Sequence, residues 1–344
     1  MCDVGAAGRG SLTNAFHSEL PKDAKIYVAG HRGLVGSALW RHLLSADYRN
    51  LVGRSSAQLD LRVRDEVAEF FAAERPEYVV LAAAKVGGIL ANDTYPADFI
   101  SDNLLIQTNV LDMAQRYGVK RLLFLGSSCI YPKFADQPIR EDALLTGPLE
   151  PTNDAYAVAK IAGVLHVQAL RRQFGASFIS AMPTNLYGPG DNFDLQTSHV
   201  LPALIRRFHE AKMAGADEVV LWGTGSPRRE FLHVDDLARA CLHLLRHYDD
   251  PAPINVGVGT DVTIKELAAT VADVIGYRGR IGWDTSKPDG TPRKVLDTTR
   301  IEALGWRAEI PLEKGVRTTY EWYQTEHASP GRTTATGDDA DVKP

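Results

Sequence analysis

The sequence predicts an α/β fold, with a doubly wound parallel sheet and a smaller C-terminal substrate lobe. Its length of 344 residues suits about two domains. Short apolar runs alternate with longer helical patterns through the first half, which is typical of a parallel sheet with crossover helices. A glycine-rich turn also separates the first apolar run from the first helical pattern. Together these observations favour a nucleotide-binding α/β domain.

The chain divides into four expected parts. Residues 1–24 and 327–344 lack apolar periodicity and predict disordered tails. Residues 25–182 carry the strand–helix alternation of a nucleotide-binding domain. From residue 183 onward glycine and proline become frequent, so residues 183–326 are expected to form mainly the substrate-binding lobe. The predicted strands are 25–30, 51–53, 78–83 and 121–127, and the clearest predicted helices are 36–45 and 102–117.

Composition excludes several classes of protein. The chain is 44% hydrophobic and 24% charged, which is ordinary for a globular protein. A formal net charge of −5 predicts neither a nucleic-acid nor a membrane partner. Cys2, Cys129 and Cys241 are too few and too widely spaced for a disulfide framework or a metal site. No apolar stretch is long enough to span a bilayer, so we expect a cytoplasmic location.

The first predicted strand runs into Gly30-His31-Arg32-Gly33-Leu34-Val35-Gly36 and then into an amphipathic helix. This strand–turn–helix context is that of a Rossmann dinucleotide fingerprint. Gly30 permits the tight turn, Gly33 lets backbone N–H groups approach a pyrophosphate, and Gly36 lets the helix pack closely on the strand. The alternative is a glycine-rich turn without a ligand.

The residue that follows the second predicted strand bears on the choice of dinucleotide. A protein that binds NAD would offer a carboxylate to the ribose 2′-OH, but this chain has Arg54 there. Arg54 and Arg32 could bind a 2′-phosphate by charge-assisted hydrogen bonds, which predicts NADPH/NADP+ as the cofactor. The alternative is that both arginines are ordinary surface charges.

A catalytic group is predicted at the carboxyl edge of the sheet. Ser127 ends the fourth predicted strand, at the edge where open α/β sheets bind ligands. Tyr156 and Lys160 share one face of a predicted helix at a spacing of four residues. A phenol has an ordinary pKa near 10, so we expect both the Lys160 ammonium and an oxidised nicotinamide ring to be needed to make its phenolate accessible near neutral pH. Tyr-x-x-x-Lys alone usually marks a solvated helix face, so its weight here comes from the glycine turn and Ser127.

The glycine turn, the strand-end serine and Tyr-x-x-x-Lys together resemble the extended short-chain dehydrogenase/reductase family. Further segments resemble the branch of that family that forms GDP-L-fucose, over roughly residues 25–325. This resemblance implies 3,5-epimerisation of GDP-4-keto-6-deoxy-D-mannose, then NADPH-dependent reduction at C4, in a homodimer. The segments are Leu81–Gly88 (LAAAKVGG), Gly126–Lys133 (GSSCIYPK), Pro183–Pro189 (PTNLYGP) and Arg229–Asp236 (REFLHVDD).

The resemblance implies an acid/base pair for the epimerisation. The C3 and C5 protons become acidic once the oxygen of the enolate is stabilised, which Ser127 and Tyr156 could do. By resemblance Cys129 and His199 exchange the carbon-bound protons, with either of them as the base. The alternatives are that Cys129 is a small buried hydrophobe and that His199 caps a helix.

The resemblance also implies the remaining binding residues. A GDP group needs cations and an aromatic wall, although each arginine could equally be a solvated surface charge. Asp235 and Asp236 are expected to cap a helix rather than to bind a metal. The implied substrate contacts are Arg207, Trp222, Arg229 and Arg280, with Asp289 and Lys294 as weaker candidates. The implied cofactor contacts beyond the glycine turn are Leu125, Gly126, Ser128, Lys160, Pro183, Thr184, Asn185, Leu186 and His199.

Other functions are compatible with the same fold. A sugar-nucleotide 4,6-dehydratase would carry an Asp-Glu pair where this chain has Ser128 and Cys129, so the residues disfavour it. An epimerase or reductase of another nucleotide-linked keto sugar is the nearest alternative. A non-enzymatic NADPH-binding protein would not need the predicted catalytic side chains together.

Overall fold

The computed structural model of the chain describes residues 19–287 and 289–326. Residues 1–18 of the predicted N-terminal tail, with Cys2, and the whole predicted C-terminal tail at 327–344 lie outside the described residues. Residues 19–24 depart from the expected tail, because Leu20 and Ala24 are buried against the first helices and strands. No helix in the described ranges is both long enough and apolar enough to cross a bilayer.

The strands and helices are numbered here in chain order. The strands are β1 Ile26–Ala29, β2 Leu51–Val52, β3 Tyr78–Leu81, β4 Arg121–Leu125, β5 Phe178–Pro183, β6 Asn185–Tyr187, β7 Glu218–Trp222, β8 Arg228–Arg229, β9 Phe231–His233, β10 Ile254–Val256, β11 Val262–Thr263, β12 Arg280–Asp284 and β13 Arg293–Lys294. The helices are α1 Leu34–Ser45, α2 Arg64–Glu74, α3 Ile89–Thr94, α4 Pro96–Arg116, α5 Asp154–Phe174, α6 Val200–Ala214, α7 Val234–His247, α8 Ile264–Ile275, α9 Thr299–Ala303 and α10 Leu312–Glu326.

Six strands form one parallel sheet in the order β10-β5-β4-β3-β1-β2. The central strands are continuous apolar runs and are fully buried, as expected for a parallel sheet covered on both faces. The predicted doubly wound α/β fold is confirmed. The four predicted strands are present but end earlier, so Ser127 lies two residues beyond β4 instead of ending it.

Alternate side chains of β1 enter two separate cores, one on each face of the sheet. Ile26 and Val28 pack with residues of α1, α7 and α9. Tyr27 and Ala29 pack with residues of α2, α4 and α5 on the opposite face. This alternation is the period of two that an extended strand imposes, and it makes the fold doubly wound.

A third core belongs to the second lobe and contains side chains of α6, α8, α10 and β7. Three short sheets accompany it: β11-β8-β13, β12-β7 and β6-β9. Residues 183–326 are nevertheless shared between the two parts. The strand β10 joins the edge of the six-stranded sheet, and α7 packs beside α1.

The glycine turn after β1 has the close contacts that its sequence predicts. Gly30 has a φ of +82°, in the left-handed region that favours glycine. A Cβ atom at Gly36 would lie 2.0 Å from the Gly30 carbonyl oxygen, so α1 can begin here only if residue 36 has no side chain. Gly33 is different, because a Cβ there would lie 3.5 Å from the Gly30 carbonyl oxygen, which is an ordinary contact.

This contrast predicts that Gly36→Ala destabilises the protein while Gly33→Ala is tolerated. Overpacking against backbone costs about 1–3 kcal/mol or more of unfolding free energy. The alanine at position 33, in ordinary contact and at negative φ, should cost less than about 1 kcal/mol. Urea denaturation of the two variants measures the difference, and equal losses of stability would contradict this account of the turn.

Candidate active site

The carboxyl ends of β1, β3, β4 and β5 lie side by side at one edge of the sheet. The loops that leave these ends must therefore meet, although they are far apart in sequence. They comprise residues 30–33, 82–88, 126–133 and 184–199, apart from the short strand β6. We call this region the sheet-edge site.

Ser127, Cys129 and Tyr156 come together at the sheet-edge site. The Ser127 hydroxyl accepts a hydrogen bond of 3.2 Å from the Cys129 backbone N–H, which starts a 3-10 turn over Ser128–Ile130. Tyr156 lies in the first turn of α5, close enough to the Ser127 side chain for that side chain to influence the pKa of the phenol. The Phe99 ring stands edge-on to the Tyr156 ring at 6.4 Å. The Ser127 side chain thus lies next to both Cys129 and Tyr156.

Lys160 lies one turn after Tyr156 and is buried. Its ammonium donates a 2.9 Å hydrogen bond to the Leu125 carbonyl and lies 5.8 Å from the centre of the Tyr156 ring. Burial lowers the pKa of Lys160 to about 7. Burial therefore weakens the hold of Lys160 on its proton, because its hydrogen bond to Leu125 replaces only part of its lost hydration.

In the protein alone, the surroundings of the Tyr156 phenol favour its protonated form. Burial and the charge of Cys129 raise the pKa of Tyr156, and the Ser127 side chain only partly opposes them. The expectation that Lys160 and an oxidised nicotinamide ring together make the phenolate accessible concerns the cofactor-bound protein and stays a prediction. At neutral pH Tyr156 carries its proton and can donate it.

Cys129 is partly exposed and has a cation beside it. The Lys294 ammonium lies 3.6 Å from its Sγ atom. Burial would raise the pKa of the Cys129 thiol, but Lys294 and hydrogen bonds with Ser127 and Asn153 outweigh it and hold the pKa below its ordinary value. Cys241 is the contrasting case, because burial in the first core raises the pKa of that thiol to about 12. The buried-hydrophobe alternative therefore describes Cys241 and not Cys129.

His199 directly precedes α6 and is exposed. It occupies the N-cap position, yet its side chain makes no capping hydrogen bond, so the capping alternative is wrong. The Gly88 N–H donates a 2.8 Å bond to the Thr197 carbonyl and ties this segment to the loop after β3. The protein around His199 removes part of its hydration and lowers its pKa. Within the described residues, no hydrogen bond joins its ring to Cys129.

The start of α1 suits the pyrophosphate of a dinucleotide. Gly33 is the N-cap and has no side chain to cap the helix, and the first turn contains no acidic residue. The first N–H groups of α1 therefore have no acceptor within the helix, which is the arrangement that binds phosphate. The neighbouring His31 Nδ1 atom is buried without a partner.

Arg54 and Arg32 both lie near His31, at the carboxyl ends of β1 and β2. Burial lowers the pKa of His31, and the two guanidinium groups lower it further. Arg54 is not free, however, because it forms a 2.5 Å ion pair with Glu74 at the end of α2. A phosphate at Arg54 would compete with Glu74, which the sequence analysis did not anticipate.

The remaining predicted cofactor residues lie along the same edge of the sheet. Leu125 and Pro183 are the last residues of β4 and β5. Asn185 donates a 2.8 Å bond from its side chain to the Glu230 carbonyl, which fixes the start of β6. Gly126, Ser128, Thr184 and Leu186 immediately follow or flank these strand ends.

Two of the predicted substrate residues face each other across paired strands. Strand β13 pairs in parallel with β8, with Lys294 opposite Arg229. Arg229 is half-buried, and a Cβ atom at Gly290 would lie 3.1 Å from its guanidinium. Asp289 accepts two hydrogen bonds from Thr224 and so ties its loop to the end of β7. Arg229 and Lys294 both lie near Cys129.

Trp222, Arg207 and Arg280 are more dispersed. Trp222 ends β7, is 64% exposed and lies 5.6 Å from the Lys287 ammonium. Arg207 lies in the second turn of α6, the helix that His199 directly precedes. Arg280 begins β12 and forms a 3.6 Å ion pair with Glu218. It lies about 13 Å along the paired strands from the level of Trp222.

The cap of α7 is not the one that the sequence predicted. The His233 side chain accepts a 3.3 Å hydrogen bond from the Asp235 N–H, so His233 is the cap. Asp236 is buried, where it binds Arg239 and the N–H groups of residues 309 and 310. In the described ranges, no three His, Cys, Asp or Glu side chains are grouped so that they could hold a metal ion.

Sequence reasoning missed the buried carboxylate of Glu230. It accepts hydrogen bonds from the backbone N–H groups of Val258, Gly259 and Leu296. Glu230 stands between β8 and β9, so these bonds hold the strand of Arg229 against the segment after Lys294. The sequence gives no clear signal for it, because Glu230 directly follows Arg228 and Arg229 and resembles one more surface charge.

Comparisons with known proteins agree with this geometry. The chain matches the NAD dependent epimerase/dehydratase family over residues 26–257. It is 63% identical to the rice (Oryza sativa) protein named "Probable GDP-L-fucose synthase 1", over 88% of this chain and 92% of that protein. It is 54% identical to GDP-L-fucose synthase of Escherichia coli, over 87% and 96%. A solved Naegleria fowleri GDP-L-fucose synthetase bound to NADP has a TM-score of 0.84 and 30% identity, covering 91% and 98%.

Asp191 is a second buried carboxylate that the sequence analysis missed. Its Oδ1 atom accepts a 2.8 Å bond from the Asn192 N–H, but its buried Oδ2 atom has no partner. Burial raises the pKa of Asp191 to about 7, with the hydrogen bond from Asn192 opposing the rise. The preceding Gly190 lies against Ser37 in the first turn of α1.

We expect Asp191→Asn to become more stable, relative to the unmodified protein, as the pH rises from 5 to 8. The folded-state pKa exceeds the unfolded value of about 3.9, so the contribution of the protonated carboxyl is lost as the pH rises through about 7. Asparagine keeps the neutral shape, and the relative gain should be at least about 1 kcal/mol. Urea denaturation at the two pH values measures it.

Asp194→Asn is the control. Burial would raise the pKa of Asp194, but hydrogen bonds from Gln196 and Thr197 outweigh it and keep the pKa low. That variant should lose the same stability at both pH values. A pH-independent difference for Asp191→Asn would show that Asp191 is ionised in the folded protein.

Proposed function

The chain belongs to the GDP-L-fucose synthases of the NAD dependent epimerase/dehydratase family, and we propose that it converts GDP-4-keto-6-deoxy-D-mannose to GDP-L-fucose through 3,5-epimerisation and 4-reduction. The observation that carries this proposal is the meeting of Ser127, Cys129 and Tyr156 beside the uncapped start of α1. Both chemistries act through the same carbonyl, so one cluster of side chains can serve them.

Epimerisation requires that protons leave and return at C3 and C5. Each carbon is next to the C4 carbonyl, so loss of its proton places negative charge on the C4 oxygen. We assign the Ser127 and Tyr156 hydroxyls as the hydrogen-bond donors to that oxygen, which their closeness at the sheet-edge site supports. Cys129 and His199 are the groups proposed to move the carbon-bound protons. The pKa of each is lowered.

Reduction requires a hydride at C4 and a proton on its oxygen. Bound NADPH supplies the hydride. Tyr156 retains its proton at neutral pH, and we assign it as the donor to the C4 oxygen. Lys160, buried one turn away with a pKa of about 7, is placed to support that proton transfer.

A nicotinamide cofactor is common to this family, and the finer assignment to NADPH is a proposal. The arginines that lie near His31 support it, as does the absence of a carboxylate at position 54. The N–H groups at the start of α1 would hold the pyrophosphate. The proposed contacts in the rest of the site are the strand-end residues Leu125, Gly126, Ser128, Lys160, Pro183, Thr184, Asn185, Leu186 and His199.

The GDP-linked end of the substrate is proposed to lie against the second lobe. Arg229 and Lys294 provide positive charge next to Cys129, and the exposed Trp222 provides an aromatic wall. Arg207, in the second turn of α6, is a further proposed contact on the helix that follows His199. Asp289 and Arg280 are further proposed contacts, of which Arg280 must reach a more distant part of the nucleotide.

The homodimer and the cytoplasmic location stay predictions. Supporting a dimer, α4 and α5 present Leu105, Val158 and Leu165 on their outer surfaces, each at least 44% exposed. An apolar surface of this kind is what a second copy would cover.

A panel of GDP-, UDP- and dTDP-linked keto sugars tests the substrate. NADPH oxidation should be fastest with GDP-4-keto-6-deoxy-D-mannose, and the product should have inverted C3 and C5. Faster turnover of a UDP- or dTDP-linked sugar would favour the alternative, an enzyme of another nucleotide sugar.

For the cofactor, we expect a preference of at least about tenfold for NADPH over NADH, which Arg54→Ala should erode. Charge-assisted contacts contribute about 1.5–3 kcal/mol each, and competition from Glu74 reduces the net effect. Measured kcat/KM values with both cofactors give the ratio. Arg49→Ala is the control, because Arg49 is exposed and pairs with Asp47. Equal values for the unmodified protein would contradict the assignment.

The two chemistries should separate under mutation. Tyr156→Phe should slow hydride transfer by about 10²–10⁴-fold, the usual loss when a positioned acid is removed. Cys129→Ser and His199→Gln should instead impair exchange of the C3 and C5 protons with solvent, which NMR in D₂O follows. Cys241→Ala removes the other described cysteine and should leave both rates unchanged. If Cys129→Ser and His199→Gln exchange at the normal rate, the base lies elsewhere.

A further inference from the structure

The contact between Lys294 and Cys129 joins residues 165 positions apart in sequence. The ammonium reaches the thiol because β13 pairs with β8 and places Lys294 opposite Arg229. Glu230 strengthens this placement, because its N–H donates to the Lys294 carbonyl and its carboxylate accepts from the Leu296 N–H. The position of the Lys294 backbone is therefore fixed on both sides by one buried residue.

The paired strands send their four basic side chains in two directions. Arg228 and Arg293 both bind the carboxylate of Asp261, at 2.7 and 2.5 Å. Successive residues of a strand point to opposite faces, so Arg229 and Lys294 are directed away from Asp261. In the described part of the chain, no carboxylate forms an ion pair with Lys294. The Lys294 ammonium instead contacts the Sγ atom of Cys129.

The groups around Cys129 come from several elements. Lys294 of β13 and Arg229 of β8 bring positive charge, and Glu150 faces Arg229. Ser127 and Asn153 contribute hydrogen bonds, and Tyr156 of α5 contributes a neutral phenol. Burial works against a charged sulfur, but these groups together leave the pKa of the thiol below its ordinary value.

We propose that Lys294 is a positioning residue whose ammonium holds Cys129 as a thiolate in the protein before substrate binds. This inference rests on the proposed function and adds to Lys294 a role other than contact with the nucleotide. In the epimerisation, the sulfur takes the proton from carbon and becomes a neutral thiol. The electron pair of the broken C–H bond forms the carbon–carbon double bond of the enolate, and the π electrons of the carbonyl move to the C4 oxygen, where Ser127 and Tyr156 donate hydrogen bonds.

The test measures the ionisation of Cys129 directly, in the full chain without sugar nucleotide or cofactor. Iodoacetamide alkylation is followed by peptide mass spectrometry from pH 6 to 10, because only the thiolate reacts readily. In Lys294→Met the midpoint of Cys129 alkylation should rise by about one pH unit or more, and the rate at pH 7 should fall about tenfold. Lys294→Arg should stay close to the unmodified protein.

Arg293→Met is the matched control, since it removes a cation from the adjacent residue of β13 on the opposite face. Its Cys129 profile should not move. The buried Cys241 provides an internal reference for unfolding, because its alkylation would reveal loss of structure.

An unchanged alkylation profile of Cys129 in Lys294→Met overturns the inference. If that variant then raises only the KM for the sugar nucleotide, Lys294 is a nucleotide ligand and not a positioning residue. If Lys294→Met does not fold, the unmodified protein still decides: an alkylation midpoint at or above the ordinary cysteine value of about 8.5 overturns the inference. Because no substrate is present, failure to turn over GDP-linked keto sugars would refute the proposed function without changing this result.

Discussion

The parallel pairing of β1, β3, β4 and β5 is the constraint on which the site depends. Parallel strands direct all their carboxyl ends to one edge, so the glycine turn, Ser127 and the segment after β5 meet there. An antiparallel arrangement of the same strands would send alternate loops to opposite edges. The pairing itself is stabilised by apolar burial on both faces, with Ile26 and Tyr27 in different cores.

Burial and positive charge act against each other around this edge, and their balance differs from residue to residue. Burial dominates at Tyr156 and Lys160, so the phenol keeps its proton and the lysine pKa falls to about 7. At Cys129 the nearby Lys294 ammonium and the hydrogen bonds outweigh burial. Three neighbouring groups thus acquire different proton affinities, which suits a site that must both remove and donate protons.

The second lobe takes part in this balance because Glu230 joins it to the sheet edge. Its carboxylate receives N–H groups from the loop after β10 and from the segment after β13, while its backbone carbonyl binds Asn185. Arg229 precedes Glu230 directly in sequence. The buried Glu230 carboxylate therefore fixes the strands that carry Arg229 and Lys294, and so positions both cations near Cys129. Glu230 does not contact the thiol itself.

Local sequence was enough to predict the sheet, the turn and the Tyr156–Lys160 pair. Apolar runs, glycine spacing and a four-residue helical period are properties of neighbouring residues. Residues 19–24 were misjudged because nothing local shows that Leu20 and Ala24 find a core to fill. The cap of α7 was misjudged because His233 and Asp235 are both plausible caps until the backbone direction is known.

Tertiary structure alone decided the charges of the site. The pair of Arg54 with Glu74 spans 20 residues, and the contact of Lys294 with Cys129 spans 165. Proton affinity depends on burial and on charges within a few ångströms, and neither is a property of sequence neighbours. The sequence by itself therefore determined the fold class and the candidate residues of this protein. The directions of their pKa shifts were decided by burial and by the strands that bring distant cations beside them.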